Sequence, residues 1–151
     1  MSRLQSSIGV AVIAVLATAT PVLAQQPSAA GRIKVVSGAA FVVRQGATIP
    51  AEAGQVVFET DGLKTGTDGR IGVTLKDDTR VSLGPSSELR LQRFTYEPGS
   101  GGFGMVIQFV RGVAAYVSGR MAKLAPQSIR LETPAAIVGV RGTSLAIRVD
   151  Q

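Results

Sequence analysis

The sequence contains no cysteine and no histidine. Those two absences exclude disulfides, thiolate nucleophiles, imidazole bases and Cys/His zinc sites. They do not assign a compartment, because an exported chain can do without cysteine. Aromatic residues are scarce at 5%, too few for the aromatic-interleaved basic stripe that nucleic-acid binding uses. After the amino-terminal segment, no apolar run is long enough to span a bilayer.

What is present fits one β-rich domain. The chain has 151 residues, a single-domain length, and is 45% hydrophobic, enough for a real core. Its 18 glycines lie between short apolar runs, the pattern of strands joined by tight turns. Net charge is +6. The Lys and Arg residues stand singly and many have an acid nearby, so the charge reads as solubility rather than as a binding stripe.

Residues 1–24 read as an address. Arg3 supplies a positive start, and Ile8 to Ala17 form an uncharged apolar stretch. Pro21 breaks any helix, and Val22 to Ala24 suit cleavage after Ala24, the pattern of a secretory signal peptide. An uncleaved anchor is the rival reading, since no charge occurs between Arg3 and Arg32. Residues 25–35 are expected to be a flexible lead-in, and residues 36–151 a single folded domain.

Short runs follow. Ala39–Arg44 and Gln55–Glu59 read as strands, with Gln45–Gly54 as loop between them. Ile71, Val73 and Leu75 alternate with polar residues, then Val81 and Leu83 resume the same face beyond Asp77-Asp78, a hairpin signal. Glu88–Phe94, Met105–Val110, Val113–Ser118, Ile129–Thr133 and Leu145–Val149 read as further strands. Met105–Val110 is apolar on both faces, so it is expected to be central. Arg120–Gln127 has room for a helical turn, and Ala135–Val138 suits strand or short helix. The fold class is all-β: a single domain of about eight to ten short antiparallel strands, as sandwich or roll.

No motif gathers catalytic groups. Gly99–Gly104 fits G-x-G-x-x-G, but a strand pattern follows it where a dinucleotide site needs a helix, so it reads as a hairpin loop. Asp77 and Asp78 are two adjacent carboxylates, too few for a calcium cage, and are expected to be a solvated turn. The acids are spread without the paired arrangement of a hydrolase. No catalytic, cofactor-binding or metal residues are assigned. The strongest local signal is Glu132–Thr143. Pro134 suits a strand end, while Gly139 and Gly142 allow unusual backbone. This segment is expected to cross the core with Arg141 pinning a loop; a ligand contact through Arg141 is the alternative.

That segment, TPAAIVGVRGTSLAI, resembles the hallmark stretch of the FecR protein domain family, with Thr133, Pro134, Val140, Arg141, Gly142 and Thr143 on the pattern. VFETDGLKTGTDGRIGVTLKDDTRVSLGPSSELRL and FVRGVAAYVSG are similar to its other motifs, so the likeness runs from about Val36 to Val149. Asp78 departs from it, standing where the family has glycine in a D-G-[ST] hairpin, which is expected to strain or reshape the turn. The sequence also stops at Gln151, where family members commonly continue with a further strand or two; the expectation is either an edge left open to strand pairing or a truncated product.

The resemblance implies an extracytoplasmic β-rich domain. It does not imply the namesake's relay to a cytoplasmic sigma factor, which also uses a cytoplasmic region and a spanning helix. The function expected is a non-enzymatic, periplasmic or secreted module for protein interaction, regulation or sensing. Its partner would be an envelope protein, with no cofactor, no nucleic acid and no membrane span once the signal is cleaved. The alternative is a binder of anionic envelope polymer, glycan or lipopolysaccharide.

Overall fold

The computed structural model describes residues 19–142 and 144–150; most of the expected signal peptide lies outside them. Residues 19–28 carry no helix or strand and are exposed. Twelve strands follow, which makes the protein all-β. They are β1 (Ala29–Ser37), β2 (Ala40–Arg44), β3 (Ala47–Pro50), β4 (Val56–Phe58), β5 (Gly62–Thr65) and β6 (Arg70–Leu75). Then come β7 (Arg80–Leu83), β8 (Glu88–Glu97), β9 (Gly102–Val117), β10 (Ile129–Glu132), β11 (Ile137–Gly139) and β12 (Ser144–Val149). One helical turn, α1 (Met121–Leu124), and a 3₁₀ turn (Pro126–Ser128) occupy the segment with room for a helix.

Hydrogen bonding runs continuously in the order β3-β2-β5-β8-β9-β7-β6-β1-β4, a sheet curled into a half-barrel. The curl is made by β9. Its first part pairs with β8 and β10, and its last part with β7 and β12. Between them Gly112 has φ 86°, and a Cβ there would collide with Ser87. Only glycine fits that bend. Two halves result: a front sheet, β4-β1-β6-β7-β9-β12, and a back sheet, β3-β2-β5-β8-β9-β10-β11.

Alternation sends one side chain in two inward. Val73, Leu75 and Val81 from the front meet Leu89, Leu91 and Ile107 from the back around an apolar void of about 20 Å³. That void holds a single water at most, so the two sheets share one closed core.

The expected strands are present, but there are twelve rather than eight to ten: β5 was not expected, and Met105–Val110 and Val113–Ser118 form the single strand β9. Further differences concern placement. The lead-in ends sooner than residue 35: β1 begins at Ala29 and buries Ala30 and Ile33. The loop expected over residues 45–54 contains β3, an edge strand joined to β2 through Gln45 and Gly46 at φ 49° and 79°, the paired positive values of a type I′ turn. One pairing is parallel rather than antiparallel, β10 with β9. The segment expected to cross the core lies at the surface: residues 134–139 and Arg141 are exposed, and of that stretch only Val140 is buried.

Candidate functional site

Two surface features collect the residues that the sequence singles out. The first surrounds the hallmark segment. β11 hydrogen-bonds to β10 through Arg130↔Gly139, Leu131↔Val138 and Glu132↔Ile137. Thr133 closes the connecting turn: its N–H donates to the Ala136 carbonyl at 2.8 Å, and its Oγ1 accepts from the Ala136 N–H at 3.1 Å. Pro134 sits in that turn, where its missing N–H costs nothing. The turn presents Ile137 outward, 68% exposed. Two adjoining open grooves border β11. One, of about 420 Å³, runs from Arg93 across Val106 and Arg130 to Gly139. The other, of about 830 Å³, lies between the 3₁₀ turn and Val140, Arg141 and Gly142. Gly139 borders both, and a Cβ there would meet nothing within 4 Å.

Arg141 is exposed on the rim of the larger groove and makes no ion pair among the described residues. Arg93 and Arg130 complete a basic margin around an apolar strip, although Arg130 lies 3.7 Å from Glu132. Sequence reading missed Arg93 and Gln127 here, because nothing local marks them. Thr143 lies outside the described residues.

The second feature is the β6–β7 turn. Asp78 is exposed and alone on that turn has positive φ, 67°. One positive value is all the geometry asks for, because the turn closes with the Asp78 N–H on the Leu75 carbonyl (3.0 Å) and the Leu75 N–H on the Thr79 carbonyl (2.8 Å). Aspartate tolerates that region better than most residues. Asp77 is not solvated, contrary to the sequence reading; it is fully buried. Its carboxylate accepts from the Thr79 N–H (3.1 Å), the Thr79 hydroxyl (2.7 Å) and the Met121 N–H (3.3 Å), while its carbonyl accepts from the Arg120 N–H (2.6 Å). The pair is a structural clamp on α1.

A second buried carboxylate, Asp61, was not singled out. Arg44 donates to both its oxygens, at 2.9 and 2.8 Å, and the Phe58 N–H donates at 2.8 Å. The hydrogen bond to Asp61 raises the Arg44 pKa further above its already high value. The Arg44 guanidinium also lies 4.6 Å from the Phe58 ring centroid, a cation–π contact. Held by this two-pronged contact and by the Arg44 donation to the Val56 carbonyl at 3.1 Å, the pair ties β2 to the β4–β5 turn.

Among the described residues no three acidic side chains gather in a way that could hold a metal. The arrangement is an all-β domain that exposes its most distinctive segment on edges and grooves instead of enclosing it in a cleft. The family model described as FecR protein matches residues 61–151, more than half of the chain, and the chain belongs to that family. It is a regulatory and sensing family, typically associated with the cell envelope. The match starts later than the likeness read from Val36, yet β1 to β4 complete the same sheet. No curated protein and no solved structure matches. No helix among the described residues is long and apolar enough to cross a membrane.

Proposed function

We propose that this chain is a non-enzymatic, exported regulatory or sensing module of the periplasm that works by protein contact, taking a partner's strand onto β12. One observation carries the reading. β12 is hydrogen-bonded along one side only, to β9 from Ser144↔Val117 to Val149↔Gly112, and its outer side has no partner strand among the described residues. A row of free backbone donors and acceptors is a template for strand addition. The leader read in residues 1–24 supports export, and the family supports a regulatory role.

Deleting β12 would be a poor test, because Leu145, Ile147 and Val149 pack against the core. Proline substitutions are better. In an antiparallel ladder, successive residues point their N–H groups to opposite sides. Of Ala146→Pro and Ile147→Pro, one removes a bond to β9 and the other an outward donor. The better-tolerated variant, identified by thermal melting, is expected to lose the envelope protein that the unmodified chain captures. Retention of that partner at full yield rejects strand addition at β12.

A second reading, binding of an anionic envelope polymer, is supported by a different face, the outside of the front sheet.

A further inference from the structure

The outward face of the front sheet carries charge of one sign. Alternation turns Ile71, Val73, Val81, Leu83 and Tyr116 inward. It leaves Arg32 and Lys34 of β1, Arg70 of β6, Arg80 of β7 and Arg148 of β12 exposed. None of the six strands of this sheet contains Asp or Glu. None of these five cations makes an ion pair among the described residues; Arg32 donates to the Gly54 carbonyl at 2.9 Å. Acids lie at the margins, the exposed Glu52 among them, two residues before Gly54. Asp68, in the turn before β6, accepts from the Ala39 N–H; Asp78 is held by Arg120 at 2.9 Å; Asp150 follows β12.

Strand register orders the cations into two banks. Arg32 aligns with Thr74, Arg80, Val117 and Ser144 in turn; two residues along, Gly72 aligns with Val35 and Ser82, then Ala115 and Ala146. Two residues further, Arg70 aligns with Ser37, and Val113 with Arg148. Arginine thus flanks a low lane on both sides. The lane crosses five strands, roughly 19 Å at the usual strand spacing.

We propose that this face binds a linear anionic glycan laid along that lane, across the strands. The proposal rests on the polymer-binding reading of function and adds its location and the form of its ligand. Like-signed charge without internal partners is complementary to a polyanion and raises its local concentration. Beyond the exposed Val35 at one end, the small side chains of Gly72, Ser82, Ala115 and Ala146 let a chain approach the backbone, and Ser82 offers a hydroxyl. Sheet twist, about 20–25° per strand, tilts the banks in opposite senses at the two ends. A flat membrane touches such a saddle only along its middle, whereas a flexible chain follows it. β1, β6, β7 and β12 contain no aromatic residue, so nucleobases find no stacking platform.

The test uses the full chain and sodium polygalacturonate, a linear carboxylated glycan, with binding measured at low and physiological salt. Charge reversal by Arg80→Glu with Arg148→Glu is expected to weaken binding about tenfold or more at low salt and to leave the remaining binding less salt-sensitive, because fewer ion contacts release fewer counterions. Ala115→Glu, which places a carboxylate in the lane at an exposed position, is expected to act in the same direction. Arg93→Glu with Arg141→Glu, on the hallmark side, is expected to change affinity less than about twofold. Thermal melts confirm that each variant is folded. No binding to the glycan at low salt overturns the polymer reading as a whole. Equal losses from both pairs of reversals overturn the assigned face alone. Tighter binding to equimolar phosphatidylglycerol–phosphatidylcholine vesicles, or to oligothymidylate of equal charge, overturns the glycan as ligand.

Discussion

Asp77 bonds to the chain at Thr79 and Met121 while its own carbonyl receives Arg120. Removing the carboxylate leaves buried donors without acceptors, each costing about 1–3 kcal/mol. Asp77→Ala is therefore expected to lower unfolding free energy by about 2–4 kcal/mol, read from denaturant midpoints, with Asp77→Asn milder. A loss below about 0.5 kcal/mol, the size of an ordinary surface change, contradicts the clamp. Sequence pattern marked this residue as a turn but not as buried, because its cover, α1, arrives from more than forty residues away. Tyr116 stands nearby in the core. Burial raises its phenol pKa above the ordinary 10.0, assisted by the charge of Asp77 and opposed by the neighbouring polar groups of Ser118 and Thr79, although the hydroxyl itself makes no hydrogen bond within ordinary limits among the described residues. The unfolded chain thus releases the proton first. Stability from this group is complete below about pH 10 and declines as pH rises through the folded value. Tyr116→Phe is expected to lack that decline, so the stability of the unmodified chain relative to the variant falls above about pH 10; a difference that stays constant to higher pH contradicts it.

At the scale of elements, legibility followed periodicity. β6 and β7 alternate cleanly and β8 does so over Leu89–Leu91 before its register slips, and sequence reading placed all three. β1 was missed because its register slips between Ile33 and Val35, a bulge that leaves Val35 60% exposed and destroys the two-residue period. β3 was missed because Pro50 looks like a breaker, yet an edge strand tolerates it. The hallmark stretch reads as core because it is apolar, but β11 pairs only with β10, and an edge position leaves Ile137 uncovered. The bend in β9 supports a sharper prediction. Gly112→Ala forces both a positive φ and a collision with Ser87, a buried serine that also accepts the Val113 N–H at 2.8 Å. It is expected to cost at least about 3 kcal/mol, measured by thermal melting. A change under about 1 kcal/mol contradicts the bend as the element that joins the sheets.

For the whole molecule, the shared core and the shared β9 make two separate unfolding units untenable. Heating is expected to give one transition, with strand loss by far-ultraviolet circular dichroism and exposure of Tyr116 by near-ultraviolet signal coinciding. Two resolved transitions contradict it. The basic lane is legible only at this scale: each cation stands singly in its own strand, and assembly brings them together. Because β9 contributes residues to both sheets across a single glycine, its length is fixed to the residue. One amino acid inserted or deleted on either side of Gly112 would invert every side chain in that arm, turning Phe109 or Tyr116 toward water. Loops such as residues 98–101 can drift in length among descendants of this chain; that one strand cannot.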